Sequence, residues 1–318
     1  MNKLKITHLV MSGGGMQGPV FIGALRYMYL ENLHKNITHI AGTSIGSFIG
    51  LMVAFKLNIE EMEDVVYKCS QNPNVNHIPK NNYFKLITEL GLSSSIHVLE
   101  DLKHLLNKKY GKDDFTFQEL SKTFGVNMYI STTNINSCEN KIFSIEDTPD
   151  VSVLKACEAS MSIPFIYKPV IIDNKYYYDG GLTNNFPIKI FDHIPKENII
   201  GIILNQKRKN NEIQEKHKIS IFTIIKQILN MLNNFRIEIV LLKYINDKDN
   251  YLIVENTGLE RAINLNINNK GMYFDITLDH INNMIYIGFD EMHKYIKRKE
   301  DILEKINRDR LQILNDIQ

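Results

Sequence analysis

The chain has 318 residues, 44% of them hydrophobic and 23% charged, ordinary proportions for a globular protein with a sizeable core. Its 37 basic and 36 acidic residues leave a net charge of +1, which gives no global electrostatic case for nucleic acid as a partner. Cys69, Cys138 and Cys157 are odd in number and widely spaced, which points to a reducing, cytoplasmic compartment and away from a metal site.

Taken in order, Lys5 to Met11 predicts a buried parallel strand. It is too short for a signal peptide and runs into Ser12-Gly13-Gly14-Gly15-Met16-Gln17-Gly18 with no cleavage-type sequence. Pro19 suits the first turn of a helix, and Phe21, Ala24, Leu25, Met28 and Leu33 recur at helical spacing. Ile37 to Ile40 predicts a second strand, and Ser47 to Phe55 a buried helix. The uncharged stretch Asn36 to Phe55 holds too many polar residues and glycines for a transmembrane span. Ile59 to Cys69 predicts an amphipathic helix, Gln71 to Asn82 a surface loop, and Val98 to Lys109 and Phe117 to Thr123 two more helices. Val126 to Thr132 reads as a strand, and Val151 to Ser160 as a helix broken at Ile163-Pro164. Pro169 to Ile172 and Lys175 to Tyr178 form a hairpin around Asp173-Asn174, which delivers Asp179-Gly180-Gly181. Ile199 to Leu204 is a core strand. Lys207 to Lys218 is polar, Ile219 to Phe235 is apolar around much of a helix and continues into Ile237 to Tyr244, and Tyr251 to Val254 is a strand. Asn283 to Arg298 predicts a helix leading into a separate charged helix, Glu300 to Leu314. With no repeat and no Pro/Ser-rich linker, residues 1–318 read as one domain.

Three glycine-marked turns bear on chemistry. Gly42-Thr43-Ser44-Ile45-Gly46, between strand and helix, has the pattern of a nucleophile elbow. A tight, strained turn would project the Ser44 hydroxyl, and side chains at Gly42 and Gly46 would crowd it. The helix that follows directs free N–H groups and the positive end of its dipole at developing charge. Gly13-x-Gly15-x-x-Gly18 also matches a dinucleotide-binding fingerprint, but that needs an acid at the end of the next strand, where Ser44 stands instead. An oxyanion hole fits better, because consecutive glycines let amide N–H groups, above all those of Gly14 and Gly15, approach a tetrahedral intermediate. Asp179-Gly180-Gly181 is by itself a turn. Beside Ser44, Asp179 becomes a candidate base, if burial raises its carboxyl from a reference of about 3.9. His39 reads as a packing residue. His280 and His293 fall where a Ser-His-Asp hydrolase would put its histidine, and neither sits in a loop after a strand.

Gly13 to Gly18, Gly42 to Gly46, Ala159-Ser160-Met161-Ser162-Ile163-Pro164 with Pro169-Val170, and Asp179-Gly180-Gly181 with Asn184, Asn185 and Pro187 occur together in that order. In these four motifs, over Lys5 to Leu204, the chain resembles the patatin-like phospholipase family. The resemblance implies an α/β fold, a three-layer α/β/α sandwich with a mostly parallel central sheet. It implies a Ser–Asp dyad without a catalytic histidine, in which Ser44 is the nucleophile and Asp179 its base. Gly13, Gly14, Gly15, Met16 and Gly18 then form the oxyanion-hole loop, and Gly42, Gly46, Gly180 and Gly181 support the elbow and the base turn. Gln17 replaces a basic residue frequent in the family. The implied reaction is hydrolysis of lipid acyl esters without cofactor or metal, at a membrane or micelle surface that the protein joins peripherally. Ile219 to Leu232 is a candidate lid or interfacial helix, and Lys207-Arg208-Lys209 a candidate contact for anionic head groups. The alternatives are a Ser-His-Asp esterase using His280 or His293, and a catalytically silent lipid-binding protein.

Overall fold

The first strand, β1 (His8–Met11), is buried along its whole length, as a strand covered on both faces must be. Its side chains alternate between two hydrophobic clusters: Leu9 and Met11 enter the larger one, Val10 the smaller. A computed structural model describes residues 4–79, 88–205, 239, 243, 251–255, 265–268, 271–274 and 276–317. After β1 come α1 (Gly18–Leu30), β2 (His39–Thr43), α2 (Ile45–Ala54), α3 (Ile59–Gln71), β3 (His77–Pro79), β4 (Gly91–Ser93), α4 (Glu100–Tyr110), α5 (Phe117–Phe124), β5 (Asn127–Asn134) and β6 (Glu139–Phe143). They are followed by α6 (Val153–Met161), β7 (Phe165–Tyr167), β8 (Val170–Ile172), β9 (Lys175–Asp179), β10 (Ile199–Asn205), β11 (Tyr251–Glu255), β12 (Leu265–Asn268), β13 (Gly271–Phe274) and α7 (Leu278–Ile317).

The central sheet has eight strands in the order β11-β10-β1-β2-β5-β9-β8, with β6 also paired to β5. From β11 to β5 every pairing is parallel, while β6, β9 and β8 join antiparallel. Helices flank this mostly parallel sheet, so the fold is the α/β sandwich expected. Both glycine-rich turns leave the carboxyl ends of parallel strands, where open α/β sheets place their sites.

Local chemistry accounts for several boundaries. Asn58 and Glu61 form a reciprocal capping box at the start of α3, and Thr116 and Glu119 do the same for α5. Gly111 and Gly125, both left-handed, end α4 and α5.

Some expectations need correction. The two C-terminal helices are one, α7, because no Gly or Pro interrupts Arg298-Lys299-Glu300. The loop expected from Gln71 begins with the last residue of α3, then a helical turn at Pro73–Asn76 and β3, which pairs with β13. The strand β6, the polar run Glu-Asn-Lys-Ile-Phe, carries no strand pattern of its own and is recruited by β5. Lys207 to Lys218 and the candidate lid Ile219 to Leu232 lie outside the described residues.

Candidate active site

The connection between β2 and α2 is a single residue, Ser44, at φ 52° and ψ −126°. A residue with a side chain holds such a backbone at a cost of about 1–3 kcal/mol. Its hydroxyl is not spent on capping α2. The flanking glycines are required by contact: a Cβ on Gly42 would stand 2.6 Å from Ser47 N, and one on Gly46 2.5 Å from Ser12 O. Ser47 Oγ donates to Ser44 O at 2.6 Å, and the amides of Ser47 and Phe48 donate to the same carbonyl at 2.9 and 3.2 Å. Cys157 lies 3.4 Å from Ser47 Oγ. Burial pushes its thiol up to about 12, so it packs as a neutral group and is no rival nucleophile.

Strand pairing brings Asp179 to the same end of the sheet as Ser44. The strand β6 occupies one edge of β5 from Ile130 to Asn134. On the other edge β2 pairs as far as Thr43 opposite Ser131, and β9 takes over with Asp179 opposite Thr132. The ends of β2 and β9 therefore meet against consecutive residues of β5, one step of about 3.3 Å. Ser44 is 5% exposed and Asp179 2%. Asp179 Oδ1 accepts the Gly181 amide at 2.7 Å, and Asp179 O accepts Thr133 Oγ1 at 2.9 Å. A Cβ on Gly180 would collide with Ser131 O.

The glycine loop is fastened beside them. Ser12 Oγ accepts the Leu204 amide at 3.0 Å, and the Ser12 amide donates to Ile202 O at 3.1 Å. The Gly13 amide donates to Asn185 O at 3.0 Å. The neighbouring Asn184 O accepts Thr43 Oγ1 at 2.9 Å and Ser131 Oγ at 3.0 Å. The segment after Asp179-Gly180-Gly181 thus ties together the loop, the elbow and β5. Gly15 is exposed at φ +56°, Gly14 and Met16 are half-buried, and Gln17 is buried.

A family model described as patatin-like phospholipase matches residues 9–192. The chain belongs to the patatin-like phospholipase family. Its sequence is 28% identical over 314 residues to an uncharacterised protein of Acanthamoeba polyphaga mimivirus, covering 96% of this chain and 97% of that one. It is 32% identical over 182 residues to a probable lipid hydrolase of Invertebrate iridescent virus 6, covering 57% of this chain and 62% of that protein. The crystal structure of VipD from Legionella pneumophila is similar in fold, with a TM-score of 0.57 at 14% identity over 92% of this chain and 67% of that one.

The patatin-like segment contains all three glycine-marked turns. Within it the Gly13 amide, expected in the oxyanion loop, is taken by Asn185 O, so Gly13 seats the loop and the donors left to consider are Gly14, Gly15 and Met16. Gly18 gives room to the Ile45 side chain at the head of α1. The late histidines lie outside the segment. The ring of His293 stands edge-on to Tyr27 at 5.1 Å, nine residues or about 14 Å along α1 from Gly18. His280 Nδ1 accepts the Thr277 amide at 3.3 Å in the first turn of α7. Neither is hydrogen-bonded to Ser44 among the described residues. Sequence reasoning had no role for Thr43, Ser131 or Thr133, whose hydroxyls bond across 53 to 141 residues of chain or between adjacent strands. For Ser131 and Thr133 the sequence signal is the run of hydroxyl residues Ser131-Thr132-Thr133 that follows Met128-Tyr129-Ile130.

Proposed function

We propose that the protein is a lipid acyl hydrolase of phospholipase A type, working through a Ser44–Asp179 dyad. The observation that carries the reading is the junction on β5: Thr43, which leads directly into a serine held at positive φ, and the buried Asp179 stand opposite consecutive residues of one strand. Membership of the patatin-like phospholipase family and the likeness to a viral probable lipid hydrolase support lipid as the substrate class.

In this mechanism Ser44 Oγ attacks the ester carbonyl while its proton passes to Asp179. The amides of Gly14 and Gly15, with Met16, stabilise the tetrahedral oxyanion. Asp179 returns the proton to the leaving alcohol, and the acyl group stays on Ser44. A water molecule deprotonated by Asp179 then attacks the acyl-enzyme, releasing the fatty acid and restoring the serine. The bond from Gly181 to Asp179 Oδ1 fixes the carboxylate orientation during both transfers. The substrate is met at a lipid surface, by peripheral contact.

Fluorophosphonate labelling read by intact mass tests the proposal. Wild type should gain one adduct, Ser44→Ala none, and Asp179→Asn should label at least about 100-fold more slowly. A folded wild type that neither labels nor releases fatty acid from phospholipid vesicles overturns it in favour of a silent lipid-binding protein.

A further inference from the structure

Ala159-Ser160-Met161-Ser162-Ile163-Pro164 supplies no reacting group, yet the last turn of α6 touches both residues of the dyad. Ser160 is fully buried. Its Oγ accepts the Ser44 amide at 2.8 Å and donates to Ser131 O at 2.6 Å. Two residues on, Ser162 O accepts the Asp179 amide at 2.8 Å. The main-chain N–H groups of Ser44 and Asp179, 135 positions apart in the numbering, therefore both end on one helical turn.

We propose that this turn is a jig that sets the spacing of Ser44 and Asp179, with Ser160 as the positioning residue for the nucleophile. The inference rests on the dyad reading above. A peptide at φ 52° persists only where its surroundings over-determine it. Here the Ser44 carbonyl is held by Ser47 and the Ser44 amide by Ser160. The Ser160 hydroxyl enters at the point where β2 hands the edge of β5 to β9, and it must accept from one backbone and donate to another. A hydroxyl does both from a single atom, and at a fully buried site serine does so in the least volume. With its amide engaged by Ser160, Ser44 is no oxyanion donor, which leaves that work to the glycine loop.

The body of α6 is held by bonds separate from these two clasps. Ser162 Oγ donates to Glu158 O at 2.9 Å, Ser95 Oγ lies 2.8 Å from Ser162 Oγ, and Ser95 Oγ donates to Glu158 O at 3.0 Å. Pro164 stops the helix from continuing past the turn. The Ser95 hydroxyl contacts Glu158 O and Ser162 Oγ and bonds to neither the Ser44 nor the Asp179 amide, which makes Ser95 a matched control.

The test compares Ser160→Ala, Ser160→Cys and Ser95→Ala with wild type. It reads fluorophosphonate inactivation, thermal unfolding, and hydrogen exchange of the Ser44 amide. Ser160→Ala should lower the maximal inactivation rate about 10- to 100-fold with the inhibitor constant within about two-fold, and should speed Ser44 amide exchange. Ser95→Ala should lose comparable melting temperature but keep its inactivation rate within about three-fold. Ser160→Cys, a weaker donor and acceptor, should fall between wild type and Ser160→Ala, and it decides the matter if Ser160→Ala does not fold. Wild-type rates in the Ser160 variants, or an equal loss in Ser95→Ala, overturn the jig. If wild type itself does not label, the dyad reading fails. Ser44 exchange then still reads the clasp, and unchanged exchange in Ser160→Ala refutes it independently.

Discussion

At the carboxyl ends of β1, β2 and β5 the buried polar groups, the Asp179 carboxyl apart, are hydroxyls and amides. At the amino ends of the same strands they are rings. His8, His39 and Asn127 stand in register there. The two imidazoles stack at 4.6 Å and 11°, and Phe191 meets both edge-on. Tyr129 lies over His39 and donates to Glu146 at 2.7 Å. Burial first, and then the neighbouring imidazoles His39 and His193, hold His8 down to about 4. Burial also lowers His39, against the pull of Glu146. The chemical consequence differs at each end. Hydroxyls and amides keep one proton state across the working range, so the bonds around Ser44 persist as pH changes, whereas the rings lose their packing when they must charge. Backbone strain is concentrated at one end of the sheet and stacked imidazoles at the other.

The largest expected effect breaks that contrast on the side of strain. Ser44→Gly should abolish turnover, by about 10⁴-fold or more. It should also raise stability by about 1 kcal/mol, because glycine accepts positive φ. Fatty-acid release from vesicles and urea midpoints measure the two effects. An inactive variant with no gain in stability would mean that the elbow stores no strain. Next, Gly46→Ala should cost about 2–3 kcal/mol in the urea midpoint, since its Cβ meets backbone that cannot swing aside. A wild-type midpoint would mean that α2 can shift relative to β1.

The strained end was also the end legible in the sequence. Gly42-x-Ser44-x-Gly46 is local: strand, turn and helix all lie within a few residues, and the glycine spacing itself encodes the close contacts with Ser47 and Ser12. The same holds for the parallel core strands, which are short apolar runs. What holds the site was not legible in this way. The bond from Ser44 to Ser160 spans 116 residues and that from Thr43 to Asn184 spans 141, and nothing in either local pattern names its partner. The hand-over from β2 to β9 on one edge of β5 depends on β6, whose residues carry no strand signal until β5 pairs with them. At the amino end, the packing role expected of His39 is met by its stack on His8.

On the side of titration, the His8 ring is neutral in the fold down to about pH 4, whereas in the unfolded chain it protonates near 6.5. Between those values the unfolded state binds more protons, so stability present above pH 6.5 is lost as pH falls. The wild type should lose about 2 kcal/mol more than His8→Phe between pH 6.5 and 4.5. Urea midpoints across that window, taken on both proteins, isolate His8 from the carboxylates that titrate in both. Equal slopes would place the acid sensitivity elsewhere in the molecule.

The alkaline limb should show the smallest effect, at the same end of the sheet. Lys299 of α7 is 7% exposed. Its Nζ donates to Ile199 O at 3.2 Å and Lys196 O at 3.5 Å, and Ile199 is the β10 partner of His8. Burial lowers this ammonium from 10.5 to about 8, against the attraction of Glu197. From pH 8 to 10.5 the unfolded lysine keeps a proton that the folded one gives up, so stability rises with pH. Between pH 7.5 and 9 the gain should be about 1 kcal/mol, and Lys299→Met, which preserves the length of the stem, should flatten it. The comparison is one of slopes, because losing the Lys299 ammonium as a donor to Ile199 O lowers the variant at every pH. A slope that survives in Lys299→Met would move the alkaline response away from the start of β10, and the contrast between the two ends of the sheet would then hold in acid alone.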